Sequence, residues 1–261
     1  MRAPFLLLFA VATLCLHAVA QSQPANVLLI VADDLGAEAV GCYGDAGAAP
    51  TPVIDQLASR GVRFSCAIVN PACSPTRAAL LTGRYGFRNG TPYSVLPNLP
   101  GNLSLGPYPN ETTLPQALAP TNYATALIGK WHLGTRYGLT TPNQYGFGHF
   151  AGILDSGVPD YYLWTKVVNG QTQAIANYAT TEIINDAIQW IGQQTRPWVL
   201  QVAFNAPHAP FQAPPANLHT QDLTGLTPST APQAFYRAMV QAMDTEIGRL
   251  LASLPAATLA N

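Results

Sequence analysis

The sequence predicts an α/β fold with a mostly parallel central sheet flanked by helices. Three observations lead there. Continuous apolar runs at residues 26–32, 123–128 and 198–204 have the length and composition of strands covered on both faces, as in the middle of a parallel sheet. Segments of helical periodicity alternate with these runs, which is the pattern of parallel strands joined by crossovers. Polar residues then follow directly on each run: Asp33-Asp34, Lys130 with His132, and His208. Ligands of open α/β sheets bind beyond the carboxyl ends of strands, so topology alone brings these residues to one edge.

The chain starts with a targeting pattern. Arg2 gives a positive start, residues 5–16 are apolar, and Ala18-Val19-Ala20 is a small-x-small cleavage site before Gln21. Residues 1–20 therefore read as a secretory signal peptide, with 21–261 as the exported chain. The apolar run is too short for a comfortable membrane-spanning helix, and no second long apolar span follows. The expected location is periplasmic or extracellular, with no stable membrane span after cleavage.

The first strand, 26–32, ends in Asp33-Asp34-Leu35-Gly36. Thr51-Pro52 opens a helix through Ala58, and Gly61 ends it. Residues 62–69 read as a second strand leading to Cys73. Ser74 is a good N-cap and Pro75 suits the first helical position, which puts Cys73 just before a helix that Gly83 ends. Residues 86–110 read as loop, and 114–118 as a short helix. The strand at 123–128 runs into Gly129-Lys130-Trp131-His132-Leu133-Gly134. Residues 137–170, rich in aromatics, Gly and Pro, read as loops with a small hairpin. Residues 180–193 form a helix with Ile183, Ile184, Ala187, Ile188 and Ile191 on one face. The strand at 198–204 precedes Asn205-Ala206-Pro207-His208-Ala209-Pro210, and residues 233–254 form the longest helix.

Composition bounds the function. With 261 residues the chain is one large domain or two small ones. Charged residues are only 10% and the formal net charge is −1, which excludes an electrostatic nucleic-acid binder. The 23 prolines and 21 glycines mean many loops rather than disorder, because 48% of residues are hydrophobic. Cys42, Cys66 and Cys73 are an odd set in an exported chain, which marks one thiol for another fate. A Cys42–Cys66 disulfide and two free buried thiols both remain open.

The candidate site residues have ordinary readings as well as chemical ones. Asp33-Asp34 alone reads as a solvated turn. As a converging pair, the two carboxylates repel unless a cation neutralises them, and oxygen donors favour Ca²⁺ or Mg²⁺. Cys73 at a helix N-terminus, with Arg77 about one turn on, suits a modifiable nucleophile beside an anionic group. Lys130 and His132, two apart on extended backbone, share a face and offer two donors, though alone they read as a snorkelling lysine and a core histidine. His208 between prolines is either packed loop or a rigidly held proton donor. Tyr161, Tyr162 and Trp164 suit a sugar pocket or the core equally.

The longer strings decide among these. Cys73-Ser74-Pro75-Thr76-Arg77-Ala78-Ala79-Leu80-Leu81-Thr82-Gly83-Arg84 resembles the signature of type I sulfatases, of the alkaline phosphatase superfamily. Residues 24–36 resemble that family's opening strand, Gly129 to Gly134 its Gly-Lys-Trp-His-Leu-Gly motif, and Pro207-His208-Ala209-Pro210 its Pro-His-x-Pro loop. The resemblance runs from Asn26 to the last residue and implies an alkaline-phosphatase-like fold, incomplete at the C-terminus. It implies a sulfuric ester hydrolase whose Cys73 is converted to formylglycine by a formylglycine-generating enzyme. It implies metal ligation by Asp33, Asp34 and the modified Cys73, with Ca²⁺ expected and Mg²⁺ as the alternative. Arg77 and His132 are then catalytic, and Lys130 and His208 bind the sulfate. The substrate is expected to be a sulfated small molecule or a sulfated carbohydrate. The family continues with a strand ending in Asp-Asn, which this chain does not reach, so weak metal binding and weak or no turnover are expected of it. Two other readings stand beside this one. A phosphoric ester hydrolase of the same superfamily is disfavoured by Cys73, where Ser or Thr is usual. A non-catalytic, vestigial protein would leave Cys73 unmodified.

Overall fold

The computed structural model describes residues 24–96, 106–255 and 258. The expected signal peptide lies outside the described residues. In chain order the elements are β1 (Val27–Val31), α1 (Pro52–Arg60), α2 (Cys73–Thr82), α3 (Gly86–Asn89), α4 (Leu114–Leu118), β2 (Ala124–Lys130), α5 (Thr141–Gln144), β3 (His149–Ile153), β4 (Trp164–Val168), β5 (Gln171–Ile175), α6 (Ala179–Gly192), β6 (Trp198–Ala203) and α7 (Pro232–Ser253).

The strands form one sheet in the order β1-β6-β2-β3-β4-β5. The first four run parallel, with Val31 opposite Ala203, Gly129 opposite Ala203 and Lys130 opposite Ile153. Their carboxyl ends therefore share one edge, as the sequence predicts. β4 and β5 add an antiparallel hairpin.

Side-chain alternation divides the core into two layers. Ala126, Ile128, Leu200 and Val202 pack on one face with Ile183, Ile184 and Ala187 of α6 and Met239, Met243, Ile247 and Leu250 of α7. Leu127, between Ala126 and Ile128 in sequence, packs on the other face with Ala78 and Leu81 of α2 and with Trp131, Tyr145 and Phe147. The expected apolar stripes of α6 and α7 thus bury themselves on the sheet. No helix among the described residues is long and apolar enough to cross a membrane.

Four expectations need correction. β1 is not central: it lies at the sheet's edge and is only half-buried. Its apolar run reports burial propensity, and no strand pairs with its outer side among the described residues. Residues 62–69 form no strand, and Val62 and Ile68 are 83% and 89% exposed. A strand needs a neighbour for its backbone groups, and this segment has none here. Cys73 accordingly follows a loop.

The stretch read mainly as loop, 137–170, contains β3, which runs parallel to β2, and the whole of β4. The turn from β4 to β5 is Asn169-Gly170, both with positive φ, the sequence signature of a tight hairpin. Finally, the cysteines carry no disulfide: Cys42, Cys66 and Cys73 are free, and Cys66 is exposed rather than buried.

Candidate active site

Cys73 is the first residue of α2, not the residue before it; Ala72 is the N-cap. Ser74 does not cap the helix. Its buried Oγ instead accepts a hydrogen bond from the Val95 N–H at 2.9 Å, which holds the neighbouring loop against α2. Gly83 ends the helix as expected, at φ 65°, a left-handed value that favours glycine. Cys73 is partly buried. Cys73 lies at the helix N-terminus, a setting that favours negative charge.

Arg77, four residues on, projects from the same side of α2. It is almost completely buried. One terminal nitrogen donates to the Lys130 carbonyl at 2.9 Å, and the other lies 3.4 Å from Asp33 Oδ1. Burial draws the Arg77 guanidinium below its ordinary pKa, although the charges of Asp33 and Cys73 oppose the shift.

Lys130 ends β2 and is fully buried, and its Nζ pairs with Asp33 Oδ2. The preceding Gly129 explains how the strand delivers it. Gly129 has φ 113°, and a Cβ there would lie 1.9 Å from the Ala203 carbonyl oxygen. Only glycine permits this break in strand geometry beside β6.

The two aspartates have different surroundings. Asp33 is buried between two cations, Lys130 and Arg77. Asp34 is exposed, with φ 59°, and its carboxylate lies 3.6 Å from His208 Nε2. The strand ends before this pair, and the carboxylates point to different partners. His208 is fixed in the loop after β6: its N–H donates to the Asn205 carbonyl at 2.9 Å, and its Nδ1–H to the Ala209 carbonyl at 2.6 Å.

His132 is set back from the cleft. It is buried, with φ 53°, and its Nε2–H donates to the Val95 carbonyl at 2.8 Å. Its Nδ1 is buried without a partner. Burial first, and then the charge of Lys130, hold its pKa at about 4. The imidazole is therefore neutral near pH 7, with its lone pair on Nδ1.

A cleft of about 310 Å³ opens over this edge, lined by Asp33, Asp34, Cys73, Thr76 and Arg77 among others. Of the residues singled out from sequence, the structure brings Asp33, Arg77 and Lys130 into contact and pairs Asp34 with His208. Asn205 was not singled out. It is 2% exposed, and both amide atoms lack partners. Its position directly after the β6 run was the available signal.

The donor set does not fit a complete hard-cation site. Such ions take six or more oxygen ligands. The described residues contain no group of three His, Cys, Asp or Glu side chains able to hold a metal. Both oxygens of Asp33 already face cations.

The Sulfatase family model matches residues 25–260. The chain belongs to the sulfatase family. Among curated relatives, human (Homo sapiens) arylsulfatase A is 43% identical over 156 residues, 59% of this chain and 29% of that protein. N-acetylgalactosamine-6-sulfatase of Canis lupus familiaris is 30% identical over 281 residues, 95% of this chain and 50% of that protein. The solved structure of Ps i-CgsB superposes with a TM-score of 0.76 at 31% identity, covering 89% of this chain and 55% of that one. The fold is thus the expected alkaline-phosphatase-like one. The chain spans about half or less of the length of these curated relatives.

Proposed function

We propose that this chain carries the nucleophile-bearing part of an exported enzyme that hydrolyses a sulfate ester. The observation that carries the reading is the position of Cys73, on a helix N-terminus in the same cleft as Arg77 and Asp33, with Lys130 behind. Two buried cations there share one carboxylate, so the cluster holds surplus positive charge for an anionic group.

In this reading Cys73 is converted to formylglycine by its generating enzyme. One hydroxyl of the aldehyde hydrate attacks sulfur as the S–O bond to the ester's alcohol breaks and the alcohol leaves. The second hydroxyl then loses its proton to become the aldehyde C=O as the C–O bond to sulfate breaks. Splitting the displacement in this way replaces one hard step by two easier ones. Arg77 fixes the nucleophile's oxygen, held in place by its bond to the Lys130 carbonyl. Lys130 and His208 stabilise charge on the transferring sulfate. His132, neutral with a free Nδ1 lone pair, is the base assigned to the hydrate.

Asp33 and Asp34 are assigned to a cation, Ca²⁺ before Mg²⁺, as two of its ligands. Since the described residues hold no group of three His, Cys, Asp or Glu side chains to complete a site, weak binding of Ca²⁺ and weak or no turnover are expected of this chain. The substrate is proposed to be a sulfated carbohydrate or small sulfated molecule. Ps i-CgsB, solved in complex with k-i-k-neocarrahexaose, supports the carbohydrate alternative.

The test is co-production with a formylglycine-generating enzyme. The mass of the tryptic peptide 64–77 reads the conversion of Cys73, and release from an aryl sulfate against an aryl phosphate reads the chemistry. An unmodified Cys73 with no turnover, even when the remaining part of a relative is supplied, would sink the catalytic reading. The non-catalytic alternative would then stand. Faster release from the phosphate would move the chain to the phosphoric ester hydrolases.

A further inference from the structure

The loop between β3 and β4 is laced to the loop that carries His208. Tyr161 is fully buried, and its hydroxyl donates to the His208 carbonyl at 2.7 Å. Its own N–H donates to Gln212 Oε1 at 2.5 Å, and Gln212 Nε2 donates to Asp160 Oδ2 at 2.9 Å. Asp160 Oδ1 in turn accepts the N–H groups of Tyr162 and Leu163. The Tyr162 hydroxyl donates to the Ala213 carbonyl at 2.7 Å. Tyr161 is therefore a core residue and not a sugar platform, one of the two uses its sequence allows.

Tyr161 is itself anchored. Its carbonyl accepts the Ala179 N–H at 2.8 Å, at the first residue of α6, and its ring packs against Tyr178 with centroids 5.8 Å apart. Burial raises the phenol's pKa far above its ordinary value, so the hydroxyl stays a donor. A rigid helix end thus reaches through one phenol to the backbone of His208. The next ties on His208 are local: its N–H to Asn205 and its Nδ1–H to Ala209. With Nδ1 committed as donor, Nε2 is the only ring atom left to face the cleft side, where Asp34 lies 3.6 Å away.

We propose that Tyr161 is a positioning residue for His208, aiming Nε2 by holding the residue's carbonyl. The proposal rests on the reading of His208 as a sulfate contact, but its structural half can be measured without turnover. A near-isosteric Tyr161→Phe removes only the hydroxyl. Tyr162→Phe removes an equivalent phenol-to-carbonyl bond on the same strap, aimed at Ala213 instead, and so controls for general loosening.

The first readout is the ring ¹⁵N and ¹³C NMR signature of His208 in the full chain, which reports its tautomer and rotamer. Tyr161→Phe is expected to shift and broaden these signals, and Tyr162→Phe to leave them unchanged. The second readout is turnover of an aryl sulfate by the chain supplied with the remaining part of a relative, where Tyr161→Phe is expected to lower kcat roughly 10-fold with KM little changed, the size usual for lost supporting hydrogen bonds. Gln212→Ala, which frees the Tyr161 N–H, should act in the same direction and serves if Tyr161→Phe does not fold. Unchanged His208 signals in both Tyr161→Phe and Gln212→Ala overturn the proposal, as does an equal effect of Tyr162→Phe. Shifted signals with unchanged turnover uphold the positioning and remove His208 from the proposed reaction.

Discussion

The chain has two lysines, both buried, and they sit in clusters of opposite balance. Lys130 and Arg77 share the single carboxylate of Asp33 at the carboxyl edge of the sheet. Lys166, on β4, is shared by two carboxylates of α6, Glu182 at 2.7 Å and Asp186 at 2.8 Å. Burial alone would lower the Lys166 pKa, but its bonds to Asp186 and Glu182 outweigh that and raise it. Asp186 is pushed up by burial despite Lys166. The second cluster has no cation to spare, so it fastens a strand to a helix and attracts no anion. The first has one cation in surplus beside Cys73, which is what an anionic substrate group requires. Burial of a lysine therefore says little about its role; the count of charges around it says more.

The sharpest way to break this comparison is to remove each ammonium. With the remaining part of a relative supplied, Lys130→Met is expected to lower aryl sulfate turnover on the order of 10²–10³-fold, the size of a lost transition-state donor. Lys166→Met should leave turnover per folded molecule unchanged. Equal losses in the two variants would show that the clusters do not differ in role. Stability is expected to reverse the ranking. Lys166→Met leaves two partly buried carboxylates facing each other and should cost roughly 3 kcal/mol in urea unfolding, at the low end for broken buried pairs.

A pH series sharpens the electrostatic side. His132 has an ordinary pKa of 6.5 and about 4 in the fold. Between those values the unfolded chain binds the proton and the folded one does not. Stability from this group is thus complete above pH 6.5 and is lost as pH falls toward 4. The loss should reach up to about 3 kcal/mol. In Lys130→Met the neighbouring positive charge is gone, so the loss over the same window should shrink. An unchanged slope would mean that Lys130 has no part in holding His132 down.

The smallest effect belongs to a carboxylate outside both clusters. Asp244 of α7 accepts the Val53 and Ile54 N–H groups at 3.1 and 2.8 Å, capping α1 from a distant part of the chain. Its partners are neutral, so Asp244→Asn should cost only about 1 kcal/mol by thermal or urea unfolding. A loss as large as that of Lys166→Met would erase the distinction between capping and charge pairing.

Much of this arrangement was legible beforehand. The run at β2 followed by Gly-Lys-Trp-His places Lys130 at a strand end because apolar runs report burial and glycine reports a break in the strand. α6 and α7 were readable because their stripes recur at helical spacing over many residues. The edge position of β1 was not readable, since an apolar run does not say how many neighbours it has. The strand expected at 62–69 failed for the same reason. The ring orientations of His132 and His208 depend on the carbonyls of Val95 and Ala209, and backbone acceptors leave no mark in side-chain identity. Asn205 was missed because a single buried amide has no pattern of its own.

With Lys130 wholly enclosed and the Lys166 side chain 5% exposed, the folded protein presents no side-chain amine to a reagent in solution. An amine-acylating label would therefore enter at the α-amino group alone while the chain stays closed. Each further acyl group found by mass spectrometry would record an opening event. Lys166, on the outer hairpin side, would report local opening of that side, and Lys130 the opening of the sheet's reactive edge. The chain thus carries two built-in clocks for its own unfolding, one in each charge cluster.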